Sequence, residues 1–248
     1  MINLSGKAAL VTGASSGLGA HFAQVLARAG AHLVLAARRE DTLKRVAEQI
    51  NAAGGIATCV KLDVTDSAGV RALEPVLSDV DIVVNNAGVV HSAAALEQRE
   101  EDWDAVMDTN LKGMFLVAQA AGRAMRSAGR AGSIINIASI AGLRQAGNIL
   151  PYAVSKAGVI QMTKVLALEF ARFGIRVNAL APGYLETDLN RDFWSTAQGK
   201  AMLRRIPQRR LGRLEELDGP LRLLASDESS FMTGSVLVID GGHLVSSL

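Results

Sequence analysis

Cysteine is nearly absent from the 248 residues: Cys59 stands alone, so no disulfide can form within the chain. Its apolar surroundings read it as a small core residue. Aromatics are equally sparse, at 4% of the chain, which leaves no stacking platform for single-stranded nucleic acid. The net charge of +2 is too small to call for a polyanionic partner. No stretch offers ~18 uninterrupted apolar residues for a membrane span. The opening MINLSGKAALVTG lacks the basic region, apolar run and cleavage site of a secretory signal. The closing Ser-Ser-Leu falls short of a peroxisomal signal. The four histidines, His21, His32, His91 and His243, lack ligand spacing, so no metal centre is expected. Asp81, Asp102 and Asp104 show no acid pairing suited to hydrolysis. A cytoplasmic protein binding neither nucleic acid nor membrane is the expectation these absences leave.

Alanine, glycine and valine are plentiful, and short apolar runs alternate with longer amphipathic stretches. The runs Lys7–Thr12, His32–Ala37, Thr58–Leu62, Ile82–Asn85, Ser133–Ile137, Arg176–Leu180 and Val236–Ile239 read as strands. Helices are expected over Gly17–Ala29, Asp41–Ala53, near Ser67–Leu77, from Trp103 to about Arg126, and over Pro151–Phe173, closed by Gly174. This alternation predicts an α/β fold: a Rossmann-type, doubly wound sheet of about seven parallel strands with helices on both faces. No low-complexity linker or repeat divides the chain, so residues 1–248 read as one domain. Its main irregular stretch, 187–213, has the length of a functional loop.

Directly after the first strand comes Thr12-Gly13-Ala14-Ser15-Ser16-Gly17-Leu18-Gly19. Glycines allow a sharp strand-to-helix turn and let backbone approach a pyrophosphate, which the helix N-terminus then attracts. The spacing Gly-x-x-x-Gly-x-Gly resembles that of the short-chain dehydrogenase/reductase family, and the resemblance runs through residues 5–243. It implies a nicotinamide cofactor cradled by Gly13, Ser15, Ser16, Gly17, Leu18 and Gly19. The second strand ends on Ala37-Arg38-Arg39 rather than on a carboxylate. An arginine can pair with a 2′-phosphate, whereas a carboxylate would repel it. The reading is therefore NADP(H), with NAD(H) as the alternative; Arg38 is the expected phosphate ligand, helped by Ser15 and flanked by Arg39. Asp63-Val64 and Asn86-Ala87-Gly88 follow the third and fourth strands. The resemblance places them along the adenosine half of the cofactor.

Tyr152 and Lys156 form Tyr-x-x-x-Lys, which puts both on one helix face. Reduction of a ketone needs a proton donor, and the lysine charge is expected to lower the phenol pKa from ~10. Ser139 ends the fifth strand, thirteen residues before Tyr152. In the family such a serine orients the substrate oxygen, and Asn110, in Thr109-Asn110-Leu-Lys-Gly113, matches an asparagine that holds a water near the lysine. The resemblance thus implies the catalytic set Asn110, Ser139, Tyr152 and Lys156, with Tyr152 and Lys156 also against the cofactor. Pro182-Gly183-Tyr184-Leu185-Glu186-Thr187 resembles the segment that seats the nicotinamide, through Pro182, Gly183, Leu185 and Thr187.

A mostly apolar substrate pocket is expected, lined by Ile140, Gln145 and Ile149 and closed by Tyr184 and the stretch that holds Phe193 and Trp194. Five arginines gather in Arg204–Arg213, a solvated segment that could rim the pocket and face an anionic ligand. The pattern is similar to 3-oxoacyl-carrier-protein reductases and broad carbonyl reductases. The substrate is therefore read as a small ketone or secondary alcohol, 3-oxoacyl or apolar, with acyl carrier protein as a partner that Arg130, Arg172 or the arginine group could meet. Two alternatives stay open: NAD-linked alcohol oxidation in catabolism, and a non-catalytic nucleotide sensor on the same fold. The family resemblance also implies a homotetramer, pairing the helices at 102–126 and 151–173 between subunits.

Overall fold

Successive residues of the first strand, β1 (Ala8–Thr12), face opposite layers. Ala9 and Val11 pack with Phe22, Leu26, Leu43 and Leu221 on one side, while Leu10 packs with Leu77, Val117 and Met125 on the other. The period of two that defines a strand thus serves two cores at once, and strands buried on both faces need the continuous apolar runs seen in the sequence. The computed structural model describes residues 2–186 and 191–246, without the side chains of Arg191 and Phe193.

β1 is followed by α1 (Gly17–Arg28), β2 (His32–Ala37), α2 (Glu40–Ala52), β3 (Ile56–Lys61), α3 (Ser67–Arg71), α4 (Glu74–Leu77) and β4 (Ile82–Asn85). The second half adds α5 (Glu100–Met107), α6 (Met114–Ser127), β5 (Gly132–Ile137), α7 (Leu150–Phe170), β6 (Ile175–Pro182), α8 (Arg191–Ser195), α9 (Ala197–Leu203), α10 (Asp218–Ala225) and β7 (Val236–Ile239). The seven strands of the described residues form one sheet in the order β3-β2-β1-β4-β5-β6-β7, and every pairing is parallel. Strand order reverses between β1 and β4, which opens a crevice at their carboxyl ends. α1, α2 and α10 cover one face; α6 and α7 cover the other. The doubly wound α/β architecture expected from the alternation is therefore present.

Several elements differ from expectation. The helix expected near Ser67–Leu77 is two short pieces, with Pro75 in the first turn of the second. The long helix through Trp103 widens into a π-helical turn at Asp108–Gly113 before continuing. The irregular stretch contains α8 and α9, and α10 was not anticipated, because its opening Asp218-Gly219-Pro220 reads as a turn. No helix among the described residues is long and apolar enough to cross a membrane.

Candidate active site

The carboxyl ends of the strands open on a cavity of about 1280 Å³. Ser15, Arg38, Arg39 and Asp63 line one end; Ser139, Tyr152 and Lys156 lie further along, with Arg144, Arg205 and His243 beyond. Such a volume exceeds that of an ordinary single-ligand pocket, ~300–1,000 Å³. It has room for a dinucleotide and a substrate together.

At the first end, β1 runs into α1 through the glycine turn. A Cβ on Gly19 would stand 2.2 Å from the Gly13 carbonyl oxygen, so only glycine permits this approach. Asn86 locks the turn to the end of β4: its amide donates to the Thr12 carbonyl at 3.0 Å, while Thr12 Oγ1 accepts from the backbone of Asn86 and Ala87. α1 starts with neither a side-chain cap nor an acidic residue in its first turn. Its free N–H groups and positive dipole end can therefore receive a phosphate.

Arg39, not Arg38, reaches this turn, donating to Ser16 Oγ at 2.6 Å and to Ser15 Oγ at 3.2 Å. Arg38 leans towards Asp63, 3.9 Å away. Burial raises the Asp63 carboxyl pKa, but hydrogen bonds from Thr65 and the Arg38 charge outweigh this and hold it below its ordinary value. Two guanidinium groups at the end of β2, with no carboxylate ending that strand, fit a phosphorylated ribose.

At the centre, α7 presents Tyr152 and Lys156 beside the end of β5. Lys156 is buried, donates to the Ile137 carbonyl at 2.7 Å, and stands 5.6 Å from the centre of the Tyr152 ring. The expectation that it lowers the phenol pKa is not met: burial pushes Tyr152 up, and only the hydrogen bond to Ser139 pulls the other way. Spacing alone carried no information on burial depth. Burial also lowers Lys156 to about 8.

A buried base with a depressed pKa disfavours folding while it is charged. Below pH 8 that cost is fully present; as pH rises towards 10.5 the unfolded chain still holds the proton, and the folded chain gains stability. Denaturant unfolding of the cofactor-free protein is expected to show ~2 kcal/mol more stability at about pH 9.5 than at about pH 7.5. The gain should be absent from Lys156→Met.

Asn110 sits fully buried in the π-helical turn. Its side chain exchanges two hydrogen bonds with the backbone of Val89, at 2.7 and 2.9 Å, and donates to Ser155 Oγ at 3.2 Å. Ser155 in turn donates to the Tyr152 carbonyl at 2.7 Å. The amide thus acts as a strut between the β4 loop and the start of α7. Ser139 caps the turn Ile140–Gly142, accepting from Ala141 N at 3.1 Å. That turn rests against α7, because a Cβ on Gly142 would lie 2.6 Å from the Lys156 carbonyl carbon. Gly142→Ala is expected to lose ~1–3 kcal/mol by overpacking and to reduce kcat by moving Ser139 away from Tyr152. Unfolding midpoints and initial rates measure the two effects.

Pro182 ends β6, and Gly183, Tyr184 and Leu185 continue along the cavity. A bridge from Leu185 to Gly212 holds this segment in place. Thr187 lies outside the described residues, as does the Phe193 side chain. Trp194 meets Tyr184 edge-on at 5.3 Å rather than lining the cavity. Ile140 and Ile149 line it as expected, and Val64, Ala87, Gly88 and Leu18 line the first half. Ser92, Arg144, Asn148, Arg205 and His243, however, make the substrate end more polar than the sequence suggested. Of these, Arg205 alone carried a signal in the sequence, as a member of the arginine group at 204–213.

Comparison with known proteins agrees with this architecture. The family model described as enoyl-(acyl carrier protein) reductase matches residues 13–243. Gluconate 5-dehydrogenase of Gluconobacter oxydans is 39% identical over 99% of this chain and 98% of its own. The 3-oxoacyl-(acyl-carrier-protein) reductase of Thermotoga maritima is 40% identical over 98% of this chain and 100% of its own. The crystal structure of a gluconate 5-dehydrogenase from Burkholderia cenocepacia, in complex with NADP and tartrate, superposes with a TM-score of 0.94 at 39% identity, covering 99% of this chain and 98% of that one.

Proposed function

Since the chain belongs to the short-chain dehydrogenase/reductase family, we propose that this oxidoreductase interconverts a ketone and a secondary alcohol with NADP(H), at a centre formed by Ser139, Tyr152 and Lys156. The observation that carries the reading is one continuous cavity. It joins an uncapped helix N-terminus and two arginines to the serine, tyrosine and lysine that line it further along. When bound, the cofactor supplies or accepts the hydride. Ser15, Ser16, Arg38 and Arg39 would hold its phosphates, with Gly13, Gly17, Leu18 and Gly19 shaping the turn beneath them. Asp63, Val64, Asn86, Ala87 and Gly88 would line its adenosine half, and Pro182, Gly183, Leu185 and Thr187 its nicotinamide half.

Ser139 would hold the carbonyl oxygen, since a hydroxyl can both donate and accept. Tyr152 then gives its proton to the oxygen as negative charge builds there. Its raised pKa suits that direction, because the phenol stays protonated at neutral pH. Lys156 spends one N–H on Ile137 and keeps two donors for ribose hydroxyls and for returning a proton to Tyr152. Asn110, through Ser155, fixes the start of the helix that carries both.

The full chain is read as one cytoplasmic catalytic unit that assembles as a homotetramer. Outer faces of α6 and α7 support the assembly: Phe115, Val154 and Val165 are exposed there, and Leu168 is 81% exposed. The edge strand β7 is also unpaired on one side. A carrier-protein-bound 3-oxoacyl chain is the second reading of the substrate, favoured by the likeness to the Thermotoga maritima reductase. Consumption of NADPH, then of NADH, with aryl ketones, β-keto esters, diketones and a 3-oxoacyl thioester tests the reading. NADPH-linked turnover supports it; tight cofactor binding without turnover of any ketone would instead favour the nucleotide sensor.

A further inference from the structure

The geometry points to a substrate that carries a carboxylate, held by Arg144 and Arg205 at the end of the cavity beyond Ser139 and Tyr152. The inference rests on the oxidoreductase reading and specifies its substrate class. Three separate segments deliver this corner. Arg144 follows β5, Arg205 follows α9, and His243 follows β7; all three line the cavity. Arg144 Nη1 donates to the His243 carbonyl and to Ser246 Oγ, the latter at 2.9 Å, which fixes the guanidinium in place. Its other nitrogens have no partner among the described residues. The Arg205 guanidinium likewise has neither an ion-pair partner nor a hydrogen bond among them. His243 is 7% exposed, and its Nδ1 is buried without a partner.

No carboxylate lines this end of the cavity among the described residues. Asp63 is the one carboxylate among the described residues lining the cavity, and it follows β3, at the opposite edge of the sheet. Asp240 lies close in the chain, but its two oxygens accept from Gly242 N at 2.8 Å and Leu244 N at 2.7 Å. Both arginine charges reach one spot. Burial moves Tyr184 up, while Arg144 and Arg205 pull it down. Burial lowers His243, Arg144 lowers it further, Asp240 raises it, and Arg205 lowers it least. Arg144 is half-buried and Arg205 exposed, and both offer unpartnered N–H donors to an anion in the cavity. The planar guanidinium fork matches a carboxylate. A substrate bound there would span from this anion to a carbonyl at Ser139 and Tyr152, so it is an oxo acid, or the matching hydroxy acid in reverse.

The test compares straight-chain oxo acids of increasing length, from acetoacetate upwards, with their methyl esters, using NADPH. A phosphorylated ketone, dihydroxyacetone phosphate, is included to separate carboxylate from phosphate. The best acid is expected to exceed its ester ~10–100-fold in kcat/KM, the range for a charge-assisted hydrogen bond. Arg205→Met should collapse that ratio towards one by raising KM for the acid alone, and Arg205→Lys should restore part of it. Ester turnover in each variant serves as the control for folding. Three results would overturn the inference: esters reduced as well as acids, a preference for the phosphorylated ketone, or equal losses on acid and ester in Arg205→Met. Silence on every compound would sink the oxidoreductase reading, and this inference with it; ester turnover without acid preference sinks this inference alone.

Discussion

Tyr152→Phe is expected to lower kcat for ketone reduction by ~10²–10⁴, the usual contribution of a positioned general acid. The phenylalanine keeps the ring and its packing and removes only the phenolic hydroxyl. KM for NADPH should therefore change little, because Lys156 remains on Ile137 and the glycine turn is untouched. A drop confined to KM, with kcat preserved, would mean that the proton comes from elsewhere. Ser139→Ala provides the comparison. Losing an orienting hydroxyl also leaves the Ala141 amide without its cap, so a smaller loss in kcat is expected alongside a small loss of stability.

The second large effect concerns cofactor choice. Arg39→Ala is expected to raise KM for NADPH ~10–100-fold while leaving NADH use nearly unchanged, since only NADPH carries the 2′-phosphate that a charge-assisted pair would hold. Arg38→Ala should do less. Its side chain is largely exposed and leans on Asp63 at 3.9 Å, whereas Arg39 is already drawn against Ser15 and Ser16. Steady-state kinetics of the two variants with both cofactors decides between them. The reverse ranking would restore Arg38, the residue that position along β2 had favoured.

What the sequence made legible, and what it did not, follows from the range of the interactions involved. The strands His32–Ala37 and Ile82–Asn85 were placed to the residue, because a strand covered on both faces writes an unbroken apolar run bounded by polar turns. The π-helical turn at 108–113 was invisible, since one widened turn scarcely alters the apolar period on either side. α10 was hidden by a glycine and a proline that serve a first turn as readily as a loop. Tyr152, Lys156 and Ser139 could be brought together by motif, but their protonation could not. That depends on burial, which spacing does not record. The corner of Arg144, Arg205 and His243 is the clearest case of tertiary information. The residues are up to 99 positions apart and come together from segments that follow β5, α9 and β7.

Hydride transfer between a nicotinamide and a carbonyl carbon in this cavity is measured with NADPH carrying deuterium at both C4 positions, incubated with the protein and a reducible ketone. An alcohol with one deuterium on the carbinol carbon is expected, and almost no product from Tyr152→Phe. An alcohol without deuterium would contradict this reading, as would an undiminished yield from the variant.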